Sequence, residues 1–410
     1  MEASGLDRVR RLRERVLAEL ERIEPRMRDL AADLHRRPEL GLREEHAAGR
    51  LAAELEEDGF EATVGIGGLR TAFKARRGHG RPAVAFLAEY DALPGLGHAG
   101  GHNLVSAVAY AAASALGSVV SETGGTILVV GAPAEETIGG KVVLDARGEL
   151  DGIDAALLAH PAGEDLVRVD SLASWSMEVL FEGRASHAVV APERGIDALD
   201  AMIRLFVARD ALREELGPEV RMPGVILEGG VRPNVVPDRA RARFSLRAAT
   251  ARELVDRVVP AFEAMVAKIA RETGARARVK PVDNLYHEFT CSEALARRYE
   301  RHASELGLAV RPGPGRPFGS LDVGRLSQRV PVLHPLFRIG PPDLASHTET
   351  FASAAASGTA LDAAARVCRA LALTALDLLA DPAAVAEAQA ERKGSGAVRE
   401  APLIVEAGAP

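Results

Sequence analysis

The sequence predicts an α/β protein in which helices flank a sheet and a separate α+β unit interrupts the chain. Two observations support this prediction. Apolar strands alternate with helical patterns at first, which is typical of a sheet covered by helices on both faces. From about residue 171 to 282 the pattern becomes β-α-β-α-β, and the first pattern then resumes. We therefore expect a main domain at 1–170 plus 283–390, an inserted domain at 171–282 and a flexible tail at 391–410.

The first elements are marked by helical spacing of apolar residues. This spacing runs from Val9 to Ile23, and Pro25 is expected to end that helix. A second helix is expected at 27–36, ending before Pro38. A third is expected at 47–55.

Three apolar strands are expected next, at 84–88, 127–130 and 155–159. Between the first two lies a weakly polar run at 104–120, rich in Ala, Ser and Val. A membrane-spanning helix needs about 20 strongly apolar residues. The run therefore predicts a buried helix.

The inserted unit and the end of the chain continue the pattern. The expected elements are strands at 175–181, 239–247, 276–279 and 332–339, and helices at 196–216, 254–270 and 355–379. The strand at 239–247 alternates polar and apolar residues, which indicates that one of its faces is exposed.

Composition excludes several classes of function. The 410 residues carry a net charge of −7 and only 4% aromatic residues, which disfavours nucleic-acid binding. The only cysteines, Cys291 and Cys368, are too far apart in sequence for a Cys-based zinc motif. The N-terminus does not resemble a signal peptide, so we expect a cytoplasmic protein without a membrane partner.

Polar side chains follow the predicted strands where each strand ends. They are Glu89 and Asp91 with His102 beyond them, then Glu135 with Glu136, and then His160. In open α/β sheets, ligands bind outside the carboxyl ends of the strands. Each residue alone has a structural explanation, but histidines and carboxylates at one edge suit zinc, manganese or cobalt.

Motifs for other chemistries are weak or missing. There is no GxSxG nucleophile motif and no phosphate-binding GxxxxGK[ST] motif. A GxGxxG string occurs at Gly95, Gly97 and Gly100, but residues 91–94 separate it from the preceding strand. A dinucleotide site is therefore disfavoured.

Nine ordered motifs between about residues 27 and 385 resemble the M20 family of metallopeptidases and amidohydrolases. They are LHRRPEL at 34–40, AEYDALP at 88–94, HAGGHN at 98–103, PAEE at 133–136, AHP at 159–161, GRASHA at 183–188, GG at 229–230 with PNVVP at 233–237, GSLD at 319–322 and SHT at 346–348. The resemblance is strongest to the branch of aminobenzoyl-glutamate hydrolases, β-alanyl-lysine-type dipeptidases and aminoacylase-like proteins.

The resemblance implies roles for residues at matching positions. The implied metal ligands are His102, Glu136, His160 and His347. Glu135 would be the general base that activates a metal-bound water. Asp91 would orient a ligand imidazole.

The resemblance also implies an architecture. The main domain would be a zinc-peptidase-like catalytic domain with a mixed sheet, and the insert a ferredoxin-like dimerisation and lid domain. His187, in the insert, would reach the active site of the partner subunit in a homodimer and stabilise the oxyanion. Asn234 would contact the substrate.

The sequence departs from the family pattern at two positions. Gly100 stands where this branch has a cysteine that helps to hold the metals, which predicts one ion per site rather than two. Arg325 stands where the branch has an asparagine, and it is a candidate for binding a substrate carboxylate.

Three functions remain open from the sequence. The first is metal-dependent hydrolysis of an amide in an N-acyl amino acid, an aminobenzoyl-amino acid or a dipeptide. The second is an aminohydrolase that releases ammonia from a substituted aromatic amine such as a nitro-aminobenzoate. The third is a metal-free relative that only binds a small molecule, which the retained His and Glu residues disfavour.

Overall fold

The structure is a computed structural model, and it describes residues 2–313, 319–391, 398 and 401–405. The helices are α1 (Glu2–Arg36), α2 (Glu45–Glu57), α3 (His102–Gly117), α4 (Val120–Thr123), α5 (Gly140–Ala146), α6 (Ala198–Leu216), α7 (Ala251–Glu253), α8 (Val259–Thr273), α9 (Glu293–Glu305), α10 (Gly324–Ser327), α11 (Glu349–Ala355), α12 (Gly358–Ala380) and α13 (Pro382–Ala390). The strands are β1 (Glu61–Val64), β2 (Phe73–His79), β3 (Ala83–Ala88), β4 (Gly125–Gly131), β5 (Ala155–Leu157), β6 (His160–Ala162), β7 (Ala173–Glu182), β8 (Gly224–Glu228), β9 (Arg239–Ala248), β10 (Arg276–Pro281), β11 (Val332–Leu333) and β12 (Leu336–Arg338).

The main domain is built on a six-stranded mixed sheet with the order β1-β2-β4-β3-β5-β11. Strands β4, β3, β5 and β11 run parallel, β2 pairs antiparallel with β4, and β1 pairs antiparallel with β2. Every residue of β3 is buried, as expected for a strand covered on both faces. The predicted α/β fold with a mixed sheet is confirmed.

The parallel strands β4, β3 and β5 are neighbours, so their carboxyl ends meet at one edge of the sheet. The loops that carry the predicted site residues begin at these ends. The fold therefore brings segments from residue 89, residue 132 and residue 158 onward to the same place.

Helix α3 is the weakly polar run that was predicted to be buried. All of its residues are buried, and it packs against α1, α12 and β3. None of the helices in the described ranges has the length and apolar character needed to cross a bilayer.

The predicted break at Pro25 is wrong, because α1 continues through this residue to Arg36. One stripe of buried apolar residues runs along α1 on both sides of Pro25: Leu12, Val16, Leu20, Ile23, Met27, Leu30 and Leu34. A proline in a helix interior removes a hydrogen bond and costs about 3 kcal/mol. Packing of the continuous stripe against α3 and α12 offsets that cost.

The inserted domain has its own core and its own antiparallel sheet with the order β10-β7-β9-β8. Its chain order is β-α-β-β-α-β, the ferredoxin-like arrangement. Alternate residues of β9 are buried, and α6 packs against this strand. The insertion of a ferredoxin-like unit into the main domain is confirmed.

Strand β8 was not predicted. Its side chains are exposed or half-buried, including Val225 at 56% and Leu227 at 41% exposure, so no alternation marks it. Among the described residues β8 pairs only with β9, which leaves its other edge open. An open apolar edge strand is a surface for pairing with another chain.

The single strand predicted at 332–339 is two strands that belong to different sheets. Strand β11 joins the main sheet beside β5, and β12 pairs with β6. Pro335 lies between them and has no N–H to donate to a sheet, which accounts for the break.

The predicted flexible tail, 391–410, falls mostly outside the described residues. Within the described part, Ile404 exchanges two hydrogen bonds with the Asn284 side chain, at 2.7 and 2.8 Å. The Asn284 amide also donates to Ile138 O at 2.7 Å. The stretch at 401–405 is therefore attached to the body of the protein beside the loop that follows β4.

Candidate active site

Histidine and glutamate side chains from the three strand ends form one cluster, which includes three of the four predicted ligands, His102, Glu136 and His160. Potential ligand atoms of Glu89, His102 and His160 lie within 4.8 Å of one another, and so do those of His102, Glu135 and Glu136. His102 is common to both groups. The cluster that the sequence predicted at the carboxyl edge of the sheet is therefore present in the structure.

Asp91 orients two members of this cluster. His102 Nδ1 hydrogen-bonds to the Asp91 backbone oxygen at 2.9 Å and lies 2.9 Å from one Asp91 carboxylate oxygen, and the other carboxylate oxygen accepts a hydrogen bond from Glu136 N at 3.0 Å. Burial alone would lower the pKa of His102, but the Asp91 carboxylate raises it well above its ordinary value. With Nδ1 engaged, Nε2 is directed into the cluster.

The loop that carries Glu135 is held in a strained conformation. Ala134 has a φ of 58°, which is rare for a residue with a side chain. Its N–H donates to the buried Glu44 carboxylate at 2.8 Å, and the Tyr286 hydroxyl donates to Glu135 O at 3.0 Å. These two hydrogen bonds fix the turn that presents Glu135.

His160 is placed as a neutral imidazole. Its Nδ1 lies 2.9 Å from Pro161 O, which requires the proton on Nδ1 and leaves Nε2 as the acceptor. The ring stacks on that of buried His334, with centroids 5.8 Å apart. Burial lowers the pKa of His160, so that the uncharged form needed by a metal ligand is favoured.

His347 approaches the cluster from the opposite side of the cleft. Its Nε2 lies 3.1 Å from Glu136 Oε1, although 56% of the side chain is exposed. The backbone has a φ of 63°, and its N–H donates to Ala99 O at 3.0 Å. This hydrogen bond ties His347 to the loop before His102.

Two charged residues on the floor of the cluster, Lys141 and Asp322, were not assigned by the sequence. Lys141 is 1% exposed, and its Nζ lies 2.7 Å from Glu89 Oε1 and 2.5 Å from Asp322 Oδ1. Asp322 ends the GSLD motif at 319–322 but was given no role, and nothing local in the sequence marks Lys141, because α5 and the loop before α10 meet only in the folded chain.

The cluster fits a divalent cation. Two buried atoms, His102 Nε2 and Glu89 Oε2, have no hydrogen-bond partner within the described structure. Burial, followed by the charges of Asp322 and Glu89, raises the pKa of Glu135 well above its ordinary value. A bound cation would give these two atoms a partner and would reduce the repulsion between the crowded carboxylates.

The cluster opens into a cleft of about 490 Å³ between the two domains. Arg247, from β9, lines this cleft together with Ser176 and Tyr286. Its guanidinium donates to Ser245 Oγ at 3.2 Å. Burial lowers the pKa of Arg247, and the charge of Asp283, which lines the same cleft, partly opposes that shift. Sequence analysis missed Arg247, because only the packing of the inserted domain turns it toward the cluster.

The structure does not bring His187 or Asn234 to this cluster. Both are exposed on the inserted domain, where Ala188 N donates to Asn234 O at 3.0 Å, and neither lines the cleft. The adjacent residues Val189 and Val190 are 80% and 76% exposed. The two predicted residues thus share an apolar surface patch away from the metal ligands of their own chain.

Arg325, the predicted contact for a substrate carboxylate, does not line this cleft. Its Nε donates to Asp145 Oδ2 at 2.8 Å, and the Asp145 side chain is 1% exposed. Arg325 therefore neutralises a buried carboxylate and joins α10 to α5.

Gly100 points toward the cluster. A Cβ atom at this position would lie 2.7 Å from Glu136 Oε1 and 3.2 Å from His102 Nε2. A side chain there would reach the metal site, but glycine offers no ligand atom. The Glu136 carboxylate occupies the adjoining space.

Comparison with known proteins gives a consistent family. A model described as the peptidase dimerisation domain matches residues 171–274. The Xaa-Arg dipeptidase of Mus musculus is 34% identical over 392 residues, which are 91% of this chain and 90% of that protein. One of the subunits of p-aminobenzoyl-glutamate hydrolase from Escherichia coli is 33% identical over 305 residues, covering 69% of this chain and 62% of that one.

Solved structures agree at the level of the fold. A dinuclear metal-binding peptidase of the M20 family from Bacillus subtilis superposes with a TM-score of 0.66 at 21% identity, over 87% of this chain and 99% of that one. The fold and the cluster at the strand ends place the protein among metal-dependent amidohydrolases. The 34% sequence identity with the mouse dipeptidase extends over nine-tenths of both chains. The chain therefore belongs to the M20 family of metallopeptidases and amidohydrolases.

Proposed function

We propose that the protein cleaves an amide bond in a small molecule and releases an amino acid with a free carboxylate. The proposed substrates are N-acyl amino acids, aminobenzoyl-amino acids and dipeptides. The observation that carries this proposal is that Arg247 and the His and carboxylate cluster line one cleft. A guanidinium binds a carboxylate through paired N–H donors. The names of an Xaa-Arg dipeptidase, a p-aminobenzoyl-glutamate hydrolase and an N-acetyl-L-cysteine deacetylase describe such substrates.

The proposed metal ligands are His102, Glu136, His160 and His347, and the proposed ion is zinc, manganese or cobalt. When bound, such an ion polarises a substrate carbonyl and makes water more acidic. We propose one firmly held ion per chain. His102 has only Nε2 free for an ion, since Nδ1 lies against Asp91, and Gly100 supplies no bridging atom.

Glu135 is the proposed general base. Its Oε2 lies 3.9 Å from His102 Nε2, at the mouth of the cluster, and its side chain lines the cleft. In this role the carboxylate takes a proton from the attacking water and delivers it to the nitrogen of the leaving amine. The strained turn at Ala134 holds Glu135 in place for both transfers.

The inserted domain is proposed to form a homodimer through the open edge of β8. Val225, Ile226 and Leu227 are exposed along this edge, and Val207 of the neighbouring helix α6 is 71% exposed. Pairing two such edges would bury apolar side chains and satisfy unpaired backbone groups. The match of residues 171–274 to a dimerisation domain supports this assembly.

A panel of small substrates, with added zinc, manganese or cobalt, tests the proposed reaction. We expect a free amino acid to be released from an N-acyl amino acid, a dipeptide or an aminobenzoyl-amino acid, without ammonia. Release of ammonia from a substituted aminobenzoate, with no amino acid from any amide, would instead identify an aminohydrolase.

Arg247 is expected to determine the preference for substrates with a free carboxylate. Replacing Arg247 with Gln should lower kcat/KM for the best acidic substrate by about 10- to 100-fold, because a hydrogen bond to a charged group is worth about 1.5–3 kcal/mol. The corresponding carboxamide substrate should change little. Steady-state kinetics with the acid and the amide of one substrate give both values.

Arg325→Gln is the matched control for Arg247→Gln. Its guanidinium pairs with Asp145 and does not line the cleft, so the ratio of kcat/KM between acid and amide should stay at the wild-type value. An equal loss for acid and amide in Arg247→Gln would show that Arg247 does not recognise the carboxylate.

A further inference from the structure

Glu89 is a buried carboxylate that the proposed mechanism does not use. It follows β3 directly and is 2% exposed. Its Oε2 has no hydrogen-bond partner within the described structure, and it lies 3.5 Å from His102 Nε2 and 4.0 Å from His160 Nε2. A buried charged oxygen without a partner is costly, so these distances point to a partner placed between the three side chains.

The other Glu89 oxygen is held in place. Lys141 Nζ lies 2.7 Å from Oε1, and Lys141 is itself held by Asp322. One oxygen is therefore fixed by a buried ammonium while the other is aimed at two imidazole nitrogens. Outer partners orient metal-binding carboxylates in this way, by engaging the atom that does not bind the ion.

The His102 and His160 side chains are both oriented so that Nε2 can bind the same ion. His102 Nδ1 is engaged by Asp91, and His160 Nδ1 by Pro161 O, so both Nε2 atoms are directed toward Glu89. Two imidazole nitrogens with one carboxylate oxygen form a usual ligand set for a divalent transition metal.

Gly100 explains why an additional carboxylate ligand is useful at this site. A side chain at position 100 would enter the cluster between Glu136 and His102, but glycine contributes neither a ligand atom nor a negative charge. Any second anionic ligand beside Glu136 therefore has to come from elsewhere in the chain. Glu89 is the carboxylate already placed against the same His102 nitrogen.

We propose that Glu89 is a metal ligand of this protein and that, with His102 and His160, it forms the buried side of the metal site. Its carboxylate supplies the charge that Gly100 cannot. Glu136 and His347 approach the ion from the cleft. This inference rests on the proposed metal-dependent function, but it is tested by binding rather than by turnover.

The test is titration of metal-free protein with Co²⁺, followed by visible absorption and by calorimetry. Glu89→Gln should weaken Co²⁺ binding by more than the roughly 10- to 100-fold that loss of an outer partner causes. The absorption spectrum should also change, because one ligand is lost. Glu89→Asp keeps the charge beside Lys141 but shortens the reach of the carboxylate, so it should fold and still bind Co²⁺ more weakly than the wild type.

Asp322→Asn is the matched control, because it removes the other carboxylate that contacts Lys141. It should weaken Co²⁺ binding less than Glu89→Gln and leave the absorption spectrum unchanged. Gly100→Cys in the Glu89→Gln background should restore affinity and add a sulfur-to-cobalt charge-transfer band, since a thiolate then replaces the lost charge.

Wild-type affinity and an unchanged spectrum in both Glu89 variants would overturn the inference, and Glu89 would then serve only as a counter-ion of Lys141. An equal loss in Asp322→Asn would overturn it as well. Hydrolytic activity is measured separately, so a protein that binds Co²⁺ as expected but cleaves no amide would contradict the proposed function and not the role of Glu89.

Discussion

Replacing Glu135 with Gln is expected to lower kcat by a factor on the order of 10² to 10⁴, the usual contribution of a general base, while metal remains bound. The amide keeps the size of the carboxylate and loses its ability to accept a proton. Metal should be retained, because the proposed ligands His102, His160, Glu136 and His347 are untouched. The measurements are kcat on the best amide of the substrate panel and metal content by elemental analysis.

The adjacent residue provides the contrast for this experiment. Glu136→Gln makes the same chemical change one position along the chain, but it alters a proposed ligand that lies 3.1 Å from His347. This variant should lose both activity and metal affinity. If Glu135→Gln turned over substrate at nearly the wild-type rate, the proton would have to be taken by another group.

The edge of the sheet that carries the site could be predicted from the sequence. Strand β3 is an unbroken apolar run followed at once by Glu89, and the apolar centre of β4 is followed a few residues later by Glu135 and Glu136. Parallel neighbours end on the same side, and ligands bind there. A local pattern and one rule of topology were therefore sufficient to place Asp91 and Glu135 close together.

Local rules failed where tertiary packing decides the outcome. Pro25 usually ends a helix, but the stripe of apolar residues in α1 continues past it and packs against α3. Strand β8 lacks alternation because both of its faces are at least partly exposed in the monomer. Neither outcome can be derived from a short window of residues.

Local sequence rules also failed to predict some contacts of the His and carboxylate cluster. Lys141 and Glu89 are about fifty positions apart, and their ion pair exists only because α5 lies under the end of β3. Arg247 and Arg325 are both arginines near predicted motifs, but one lines the cleft and the other pairs with Asp145. The sequence pattern that drew attention to Arg325 could not show which of the two lines the cleft.

His187 is expected to act on the active site of the partner subunit. Its Nδ1 accepts hydrogen bonds from Val189 N and Val190 N, at 3.3 and 3.2 Å, so Nε2 carries the proton and can donate to an oxyanion. The side chain is exposed and does not line the cleft of its own chain. His187→Ala should lower kcat by about 10²- to 10³-fold, the effect of losing one oxyanion donor, with metal content unchanged.

Mixing two inactive variants tests whether His187 acts on the active site of the partner subunit or on that of its own chain. In a hybrid dimer of His187→Ala and Glu135→Gln, one site combines intact Glu135 from the first chain with intact His187 from the second. Random exchange makes half of the dimers hybrid, so activity should recover to about a quarter of the wild-type value per site. A mixture of Glu135→Gln and Glu136→Gln should stay inactive, because both residues belong to the same chain's site. If mass spectrometry shows that subunits exchange and the first mixture stays inactive, His187 does not act across the dimer.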